Sequence, residues 1–318
     1  MKKVSQEHIP VALDRTIELL APALTERTGL TSYLIDATLG LGGHTEKLLE
    51  EFPELHIIGI DRDKSAIEKA AVRLERFANR VTLVHAVYDH IKDVAKDNGV
   101  TNVQGILFDL GVSSMQLDQS ERGFAYSHDA PLDMRMDQST GVSAREVVNT
   151  YSHEELTRIF RVYGEEKFAS RIAARIIDAR KSAPLNSTVA LAELVKESIP
   201  AATRRTGGNP AKRTFQALRI YVNNEMEILE RAIPAALELL ALNGRMVVLS
   251  YHSLEDRIVK QAFAKVSRVD APYGLPIEPT PAPYQLLTRG SEGASDAEIL
   301  ENPRAQSVRI RAIERRAA

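Results

Sequence analysis

The sequence contains no cysteine and no tryptophan, and only 5% of its residues are aromatic. Without cysteine the chain has no disulfides, no thiolate ligands for a metal and no cysteine nucleophile. No signal-peptide pattern follows Met1, and no apolar run reaches the ~18 residues that span a bilayer, so we expect a cytoplasmic protein with no membrane partner. Forty-one Lys and Arg nearly balance 43 Asp and Glu, so a polyanionic partner requires a local basic patch.

Strand and helix patterns alternate in the first part of the chain, which is typical of a parallel sheet with helices on both faces. Four short apolar runs are predicted as strands, at residues 33–36, 56–61, 81–84 and 103–109. Beyond Gly111 the pattern changes to predicted helices, at residues 152–163, 165–181 and 187–197. Ser152 and Glu155 have the spacing of a capping box at the start of the first of these helices.

The sheet pattern returns near residue 237. It comprises an apolar run at 237–242, an Asn243-Gly244 turn and a strand at 245–251. A helix is predicted from about Ser253, a proline-rich extended loop at residues 271–283 and a final edge strand at residues 307–314. We therefore predict an α/β fold in which residues 1–112 and 214–318 form one domain around a mostly parallel sheet, and residues 113–213 form an inserted all-helical domain.

Residues that directly follow the strands carry the functional signal, because ligands of open α/β sheets bind at the carboxyl ends of the strands. A glycine-rich turn at 40–43 follows the first strand, and Asp61 ends the second. This pairing suits an adenosine cofactor whose ribose hydroxyls bind the acid. Thr45 replaces the third glycine of a dinucleotide fingerprint, which disfavours a nicotinamide cofactor. The alternative is that the glycines only turn the chain and Asp61 only caps the next helix.

Eight segments together resemble the bacterial 16S ribosomal RNA (cytosine-N4) methyltransferases, in family order from about His8 to Arg316. They are Asp36–His44 (DATLGLGGH), Gly59–Asp63 (GIDRD), Phe108–Asp118 (FDLGVSSMQLD), Glu121–Phe124 (ERGF), Pro131–Asp137 (PLDMRMD), Arg213–Arg219 (RTFQALR), Ser250–Lys260 (SYHSLEDRIVK) and Asn302–Ala305 (NPRA). The departures are small, since Tyr88 and Tyr251 stand where phenylalanine is also seen.

The resemblance implies a class I methyltransferase (Rossmann-like) fold with an inserted helical domain. It implies an S-adenosylmethionine-dependent enzyme that methylates the N4 exocyclic amine of a cytosine in 16S rRNA of the small ribosomal subunit, in the decoding region. It also implies cofactor contacts at seven positions, which here are Gly42, Gly43, His44, Asp61, Tyr88, Asp109 and Gln116.

Asp109 is the predicted catalytic residue. Cytosine's exocyclic amine is a poor nucleophile, so an enzyme must orient it and accept its hydrogens during methyl transfer. Many amino-methylating enzymes end the fourth strand with an acid or amide followed by two prolines, and Asp109 ends this strand without the prolines. Two alternatives are that Asp109 orients the cofactor, which the resemblance favours, or only caps the strand end. His252 and Ser253 follow the strand at 245–251 and either contact the base or, for Ser253, cap the next helix.

Residues 200–219 form the candidate RNA-binding segment, because they carry five cations and no acid. The predicted phosphate contacts are Arg204, Arg205, Lys212 and Arg213. The tail adds further arginines, at positions 304, 309, 311, 315 and 316. An unpaired cytosine needs a stacking face, for which the candidates are Tyr88, Phe124, Tyr126 and Tyr251. The alternative for the basic run is a solvated helix flank.

No metal is predicted. Asp133 and Asp137 have no further ligand at suitable spacing, so an arginine-paired or solvated turn is expected there. Two other functions remain open at this point: a nicotinamide-dependent oxidoreductase, and a non-catalytic RNA-binding protein on a degenerate methyltransferase scaffold. The sequence leaves the oligomeric state open.

Overall fold

The computed structural model describes residues 10–25, 31–112, 120–126, 128–201, 209–269 and 281–317. The chain divides into two compact units, which are described separately: Met1–Gly111 with Met226–Ala318, and Val112–Glu225. The smaller unit therefore extends to residue 225, whereas the sequence placed the end of the insertion at 213. Within the described residues, no helix combines the length and the apolar content needed to cross a membrane.

The larger unit is built on a seven-stranded sheet with the order β3-β2-β1-β4-β5-β7-β6. Strands β1 to β5 run parallel, while β7 lies antiparallel between β5 and β6. The strands are β1 (Ser32–Asp36), β2 (Leu55–Asp61), β3 (Val81–His85), β4 (Val103–Asp109), β5 (Leu240–Ser250), β6 (Tyr284–Leu286) and β7 (Arg309–Arg315). This confirms the predicted α/β fold with its mostly parallel sheet.

Helices cover both faces of this sheet, because its strands bury apolar side chains on both sides. The helices of this unit are α1 (Leu13–Thr25), α2 (Gly43–Glu51), α3 (Lys64–Arg73), α4 (Ile91–Asp97), α10 (Glu225–Leu239, whose first residue belongs to the smaller unit), α11 (Ser253–Val266) and α12 (Asp296–Glu301). One core joins residues such as Ile35, Phe108 and Val248 to helices α4, α10 and α11, and the other joins Leu34 and Leu107 to α1, α2 and α3.

The described part of the smaller unit contains α-helices, short 3₁₀ turns and loops. Its α-helices are α5 (Ala144–Thr150), α6 (His153–Gly164), α7 (Ala169–Ser182), α8 (Thr188–Ser198) and α9 (Lys212–Asn223). The predicted capping box is confirmed, since Ser152 and Glu155 bond each other's backbone N–H groups at the start of α6. Asn223 ties the 131–137 loop to α9, because it accepts from Met136 N at 2.7 Å and donates to Met134 O at 2.7 Å.

Three sequence predictions around β5 were wrong in detail. Residues 237–239 belong to α10, and Asn243-Gly244 lies inside β5 rather than in a turn between strands. The register against β4 shifts there, and Asn243 has φ 63°, so the pair forms a bulge. The strand predicted at 307–314 is not an edge strand, because β6 pairs along its outer side. Most of the proline-rich segment lies outside the described residues, which resume at 281.

Candidate active site

Three carboxylates lie at the carboxyl ends of three neighbouring parallel strands. Asp36 ends β1, Asp61 ends β2 and Asp109 ends β4, and β1 pairs with both of the other strands. Because parallel strands end at the same edge of a sheet, these acids share the edge at which ligands of such folds bind. The geometry therefore brings together the residues that the sequence singled out after its first, second and fourth strands.

The glycine-rich turn connects the first two of these acids. Gly40 N donates to Asp61 Oδ2 at 2.8 Å, which joins the turn after β1 to the end of β2. Gly42 precedes α2 with φ 74°, a conformation that favours glycine. Gly43 is needed for a different reason, since a Cβ there would lie 2.6 Å from Pro10 Cγ. The turn is thus fixed by positive φ angles at Gly40 and Gly42 and by one close approach at Gly43.

Thr45 supports this turn with its hydroxyl. Its Oγ1 donates to Asp36 Oδ2 at 2.7 Å, and both side chains are buried. Burial raises the pKa of Asp36 to about 6, while the Thr45 hydrogen bond acts in the opposite direction. A glycine at position 45 would leave this carboxylate oxygen without its partner, so the sequence departs from the dinucleotide fingerprint for a structural reason.

Asp61 is positioned as a hydrogen-bond acceptor. Its Oδ1 accepts from Asp63 N at 2.8 Å and its Oδ2 accepts from Gly40 N, so each oxygen retains a second acceptor site. Asp63, and not Asp61, is the N-cap of α3, where it accepts from Ser65 N at 3.1 Å. Burial raises the pKa of Asp61 to about 6. The alternative that Asp61 only caps a helix is therefore wrong.

Asp109 is held by groups from three elements. Its backbone N donates to Thr38 Oγ1 at 2.5 Å, and Tyr251 Oη donates to its Oδ1 at 2.6 Å. His44 Nδ1 lies 3.7 Å from the other carboxylate oxygen, Oδ2. Burial raises the pKa of Asp109 to about 7, the Tyr251 hydrogen bond lowers it, and the charge of Glu255 raises it again. Protonation of Asp109 near neutral pH is therefore sensitive to each of these neighbours.

The tautomer of His44 follows from its second contact. Its Nε2 lies 3.0 Å from the carbonyl oxygen of Val11, and a carbonyl only accepts, so Nε2 carries the hydrogen. Burial lowers the pKa of His44, which favours the neutral ring. The lone pair of the neutral ring is then on Nδ1, facing Asp109 Oδ2. With Asp109 ionised, two acceptors face each other across 3.7 Å, an arrangement that suits a donor group with two hydrogens.

Sequence reasoning missed the roles of Thr38 and of the Tyr251 hydroxyl. Tyr251 was considered only for its ring, and nothing in the local sequence indicates a bond from its hydroxyl to the end of a different strand. Ser253 was the candidate N-cap, but α11 begins at Ser253 and His252 is the cap, with Nδ1 accepting from Glu255 N at 3.4 Å. Tyr88 packs edge-on against Phe108, with ring centroids 5.6 Å apart, below the end of β4.

The remaining predicted site residues fall in the smaller unit or outside the described residues. Lys212 and Arg213 are exposed in the first turn of α9, and Arg213 Nη1 donates to Glu165 O at 2.9 Å. Gln116, Arg204 and Arg205 lie outside the described residues.

Two other predictions concern the same unit. Among the candidate stacking rings, Phe124 is buried, and Tyr126 packs edge-on against Phe215. The predicted arginine-paired turn is confirmed at Asp133, whose two oxygens bind Arg135 at 2.9 and 2.8 Å.

The hydrogen-bonding groups of the larger unit suit a methyl donor that contains adenosine. Asp61 offers two oxygens with spare acceptor capacity, and its raised pKa reflects a buried carboxylate that hydroxyl donors would stabilise. The turn at 40–43 adjoins this carboxylate through Gly40. Neither feature supplies positive charge or the third glycine expected for a pyrophosphate, so the site favours a nucleoside without phosphates.

Comparison with known proteins finds methyltransferases that match nearly the whole chain. The sequence profile of the MraW methylase family matches residues 5–316. Ribosomal RNA small subunit methyltransferase H of Salinispora tropica is 60% identical over 99% of this chain and 86% of its own length. The protein of the same name from Streptomyces avermitilis is 56% identical over 97% of this chain and 96% of its own. A solved rRNA methylase from Streptococcus thermophilus aligns over 97% of this chain and 99% of its own at 11% identity and TM-score 0.45, too distant to add to these matches. With its sheet order, its strand-end carboxylates and these full-length matches, the chain belongs to the MraW methylase family.

Proposed function

We propose that this protein is an S-adenosylmethionine-dependent methyltransferase that methylates the N4 exocyclic amine of a cytosine in 16S rRNA of the small ribosomal subunit. The observation that carries the proposal is the placement of Asp61 and Asp109 at the carboxyl ends of β2 and β4, the two strands that flank β1, in a member of this family. The segment after β1 bonds to both strand ends, through Gly40 to the Asp61 carboxylate and through Thr38 to the Asp109 backbone. The named relatives act on small-subunit ribosomal RNA. From the family resemblance we further propose that the target base lies in the decoding region and that the enzyme acts in the cytoplasm.

The cofactor would be held by the turn and by Asp61. Each Asp61 oxygen has one acceptor site left after its backbone hydrogen bond, which matches the two hydroxyls of a ribose. Gly42 caps α2, whose first residues are Gly43 and His44, and Tyr88 lies after β3, at the same edge of the sheet. Gln116 is proposed as a further contact from the family resemblance alone. When bound, S-adenosylmethionine supplies an electrophilic methyl group on a sulfonium.

Asp109 is proposed as the acceptor for the amine hydrogens. Its Oδ1 already accepts from Tyr251 Oη, whereas Oδ2 accepts a hydrogen bond from no residue that the structure describes, so Oδ2 has the greater capacity for a new donor. As the new nitrogen–carbon bond forms, the amine nitrogen becomes more acidic, and an acceptor at Oδ2 takes up its hydrogen bond and then its proton. Neutral His44 offers a second acceptor 3.7 Å away, so a group with two hydrogens can bond both. The alternative is that the cofactor's ammonium group occupies these two acceptors, in which case Asp109 orients the methyl donor.

The amine is favoured over the ring carbon of cytosine. Methylation of carbon 5 ordinarily requires a cysteine that attacks carbon 6, and this chain has no cysteine. Nitrogen methylation requires only an oriented amine and an acceptor, both of which the site at Asp109 suits.

The smaller unit is proposed to recognise the RNA. Lys212 and Arg213 are exposed at the start of α9, and Arg204 and Arg205 precede them along the chain. Together they supply four cations for phosphate contacts in a stretch without acids. Residues of the larger unit would then hold the cofactor and the reacting base.

Two rival functions make different predictions. A nicotinamide-dependent oxidoreductase would bind its dinucleotide and not S-adenosylmethionine, and calorimetric titration with both cofactors separates the two. A non-catalytic RNA-binding protein would bind RNA in the wild type and in Asp61→Ala alike, with no methyl transfer in either.

The direct test is incubation with radiolabelled S-adenosylmethionine and small ribosomal subunits from cells that lack this enzyme. We expect label on one cytosine of 16S rRNA, with the added mass on the base and the N4 position identified by mass spectrometry. Label at carbon 5, or no label above a no-enzyme control, contradicts the proposal. Asp109→Asn should abolish most of the transfer, because its amide cannot take up a proton.

A further inference from the structure

The acidic side chains of helix α11 are buried, whereas its basic side chains are exposed. Its acids, Glu255 and Asp256, are buried at 2% and 6% exposure, and Val259 and Phe263 pack into the core against the sheet. From residue 257 to 269 the chain contains four cations and no acid. The solvent-facing side of α11 and the turn that follows it therefore carry charge of one sign.

These four cations are all exposed, and we call them the α11 cationic face: Arg257, Lys260, Lys265 and Arg268. Lys260 and Lys265 form no hydrogen bond or ion pair with the residues that the structure describes, and the same holds for Arg268. On α2 and α8, by contrast, an exposed lysine pairs with a carboxylate of its own helix, Lys47 with Glu50 at 2.7 Å and Lys196 with Glu193 at 3.0 Å. No such carboxylate lies on the exposed side of α11.

Strand β7, which packs under α11, adds positive charge rather than balancing it. Arg309 and Arg311 lie on the same side of β7 as Ile313, which is in the core with Val259 and Phe263 of α11. Both guanidinium groups bind the single carboxylate of Asp256, at 3.1 and 2.7 Å. Two cations against one acid leave an excess at the start of the helix, and Arg309 is still 48% exposed.

The α11 cationic face begins next to the candidate active site. Strand β5 ends at Ser250, Tyr251 donates to Asp109, and His252 caps α11. From Arg257 the cations extend away from Asp109 over eleven residues, or roughly 16 Å at about 1.5 Å per helical residue. A polyanion that presents one base at Asp109 would pass along this face.

We propose that the α11 cationic face, together with Arg309, binds the phosphate backbone of the RNA that flanks the target cytosine. This inference rests on the proposed function for the identity of the RNA, and it adds a phosphate-binding surface on the larger unit to the predicted one at 204–213. RNA is the partner that this face suits, because its phosphates are negative and the face is positive. A chain with a net charge of −2 attracts RNA only through local patches of positive charge such as this one.

The test compares two double variants that each remove two exposed, unpaired lysines. Lys260→Gln with Lys265→Gln alters the α11 cationic face, whereas Lys69→Gln with Lys96→Gln alters α3 and α4, where the acids Glu68 and Asp97 are adjacent. Binding to small ribosomal subunits is measured from 50 to 300 mM salt. Each phosphate contact contributes about 0.7–0.9 to the slope of log K against log salt, so the α11 variant should lose about 1.4–1.8 of the slope and the control should lose none.

Calorimetric affinity for S-adenosylmethionine, expected to equal that of the wild type, shows that the α11 variant is folded. An unchanged salt slope in this variant overturns the inference, as does an equal loss in both variants. Methyl transfer by the wild type is measured on the same subunits. Absence of methyl transfer by the wild type contradicts the proposed function. Methyl transfer by the wild type, together with an unchanged salt slope in the α11 variant, contradicts only the proposed RNA-binding role of the α11 cationic face. Adding Arg268→Gln should lower the slope further.

Discussion

At the scale of single residues, the Tyr251 hydroxyl controls the charge of Asp109. Burial raises the pKa of Asp109 to about 7 and the hydrogen bond from Tyr251 lowers it, so removal of the hydroxyl raises the pKa further. If transfer needs the ionised carboxylate, activity is lost as the pH falls through this pKa. Tyr251→Phe should therefore move the rising limb of kcat against pH upward by about one unit, the scale of a hydrogen bond to a charged group.

The matched control for Tyr251→Phe is Tyr284→Phe. Tyr284 Oη also donates one hydrogen bond, to Leu237 O at 2.8 Å, but it lies on β6 and bonds a backbone carbonyl. Its removal should leave the pH profile where it is. If the two variants have the same profile as the wild type, the protonation of Asp109 does not limit transfer.

Asp61 is the residue on which cofactor affinity should depend most. Asp61→Ala removes both acceptor oxygens, and we expect binding of S-adenosylmethionine to weaken by about 1.5–3 kcal/mol, or roughly 10- to 150-fold. Calorimetric titration measures this directly. Glu68→Ala on α3 removes one exposed negative charge and should bind like the wild type. Wild-type affinity in Asp61→Ala would exclude the ribose role.

The strand-end acids could be predicted from the sequence, because a residue that ends a buried parallel strand has a known place in such a sheet. Asp61 and Asp109 were found in this way. The hydroxyl contacts of Thr38 and Tyr251 with Asp109 could not be predicted. Thr38 lies 71 residues from Asp109 in the sequence and Tyr251 lies 142 residues from it, so only the folded chain shows that they are close. Thr45 was interpreted as a missing glycine, and its bond to Asp36 became visible only in three dimensions.

At the scale of elements, the start of α2 depends on the close approach of Pro10 to Gly43. Gly43→Ala would place a Cβ 2.6 Å from Pro10 Cγ, so the segment that carries Val11 must shift and its hydrogen bond to His44 must weaken. We expect the free energy of unfolding to fall by about 1–3 kcal/mol, the usual cost of overpacking, and cofactor affinity to fall with it. Urea denaturation with and without S-adenosylmethionine measures both effects.

Gly293→Ala provides the comparison for this element. Apart from its chain neighbours, no described residue has an atom within 4 Å of a Cβ at Gly293, and its backbone is outside the positive-φ region. Its stability should match that of the wild type within about 0.5 kcal/mol. A Gly43→Ala protein of unchanged stability would show that the N-terminal segment moves at no cost.

Element types followed from periodicity more reliably than element ends. The helices predicted at 152–163 and 187–197 are observed within one residue at each end, as His153–Gly164 and Thr188–Ser198. The helix predicted at 165–181 is also observed, but it begins four residues later, as Ala169–Ser182. The bulge in β5 was interpreted as a turn because Asn-Gly is a strong turn signal, and only the pairing of β5 with β4 on one side and β7 on the other keeps the strand continuous. Tertiary pairing thus overrode the local preference.

At the scale of the whole molecule, RNA binding should depend on separate basic surfaces rather than on net charge. Replacing Arg204, Arg205, Lys212 and Arg213 with glutamine should weaken binding to small ribosomal subunits and reduce the salt slope by up to about 2.8–3.6, for four phosphate contacts. A control with four other exposed cations of the smaller unit replaced, Arg158, Arg161, Lys167 and Arg171, should keep the wild-type slope. Equal slopes in the two variants would remove the 204–213 segment from the RNA interface.

The position of β7 has a consequence for synthesis of the protein on the ribosome. This late strand inserts between β5 and β6, and its Ile310 and Ile313 belong to the two opposite cores of the sheet. A nascent or truncated chain that stops before residue 309 has all of the strand-end acids, yet exposes the unpaired edge of β5 and two incomplete cores. Such chains should aggregate or be degraded rather than accumulate as partly active enzyme, so a premature stop codon near the 3′ end of the gene is expected to behave as a complete loss of function.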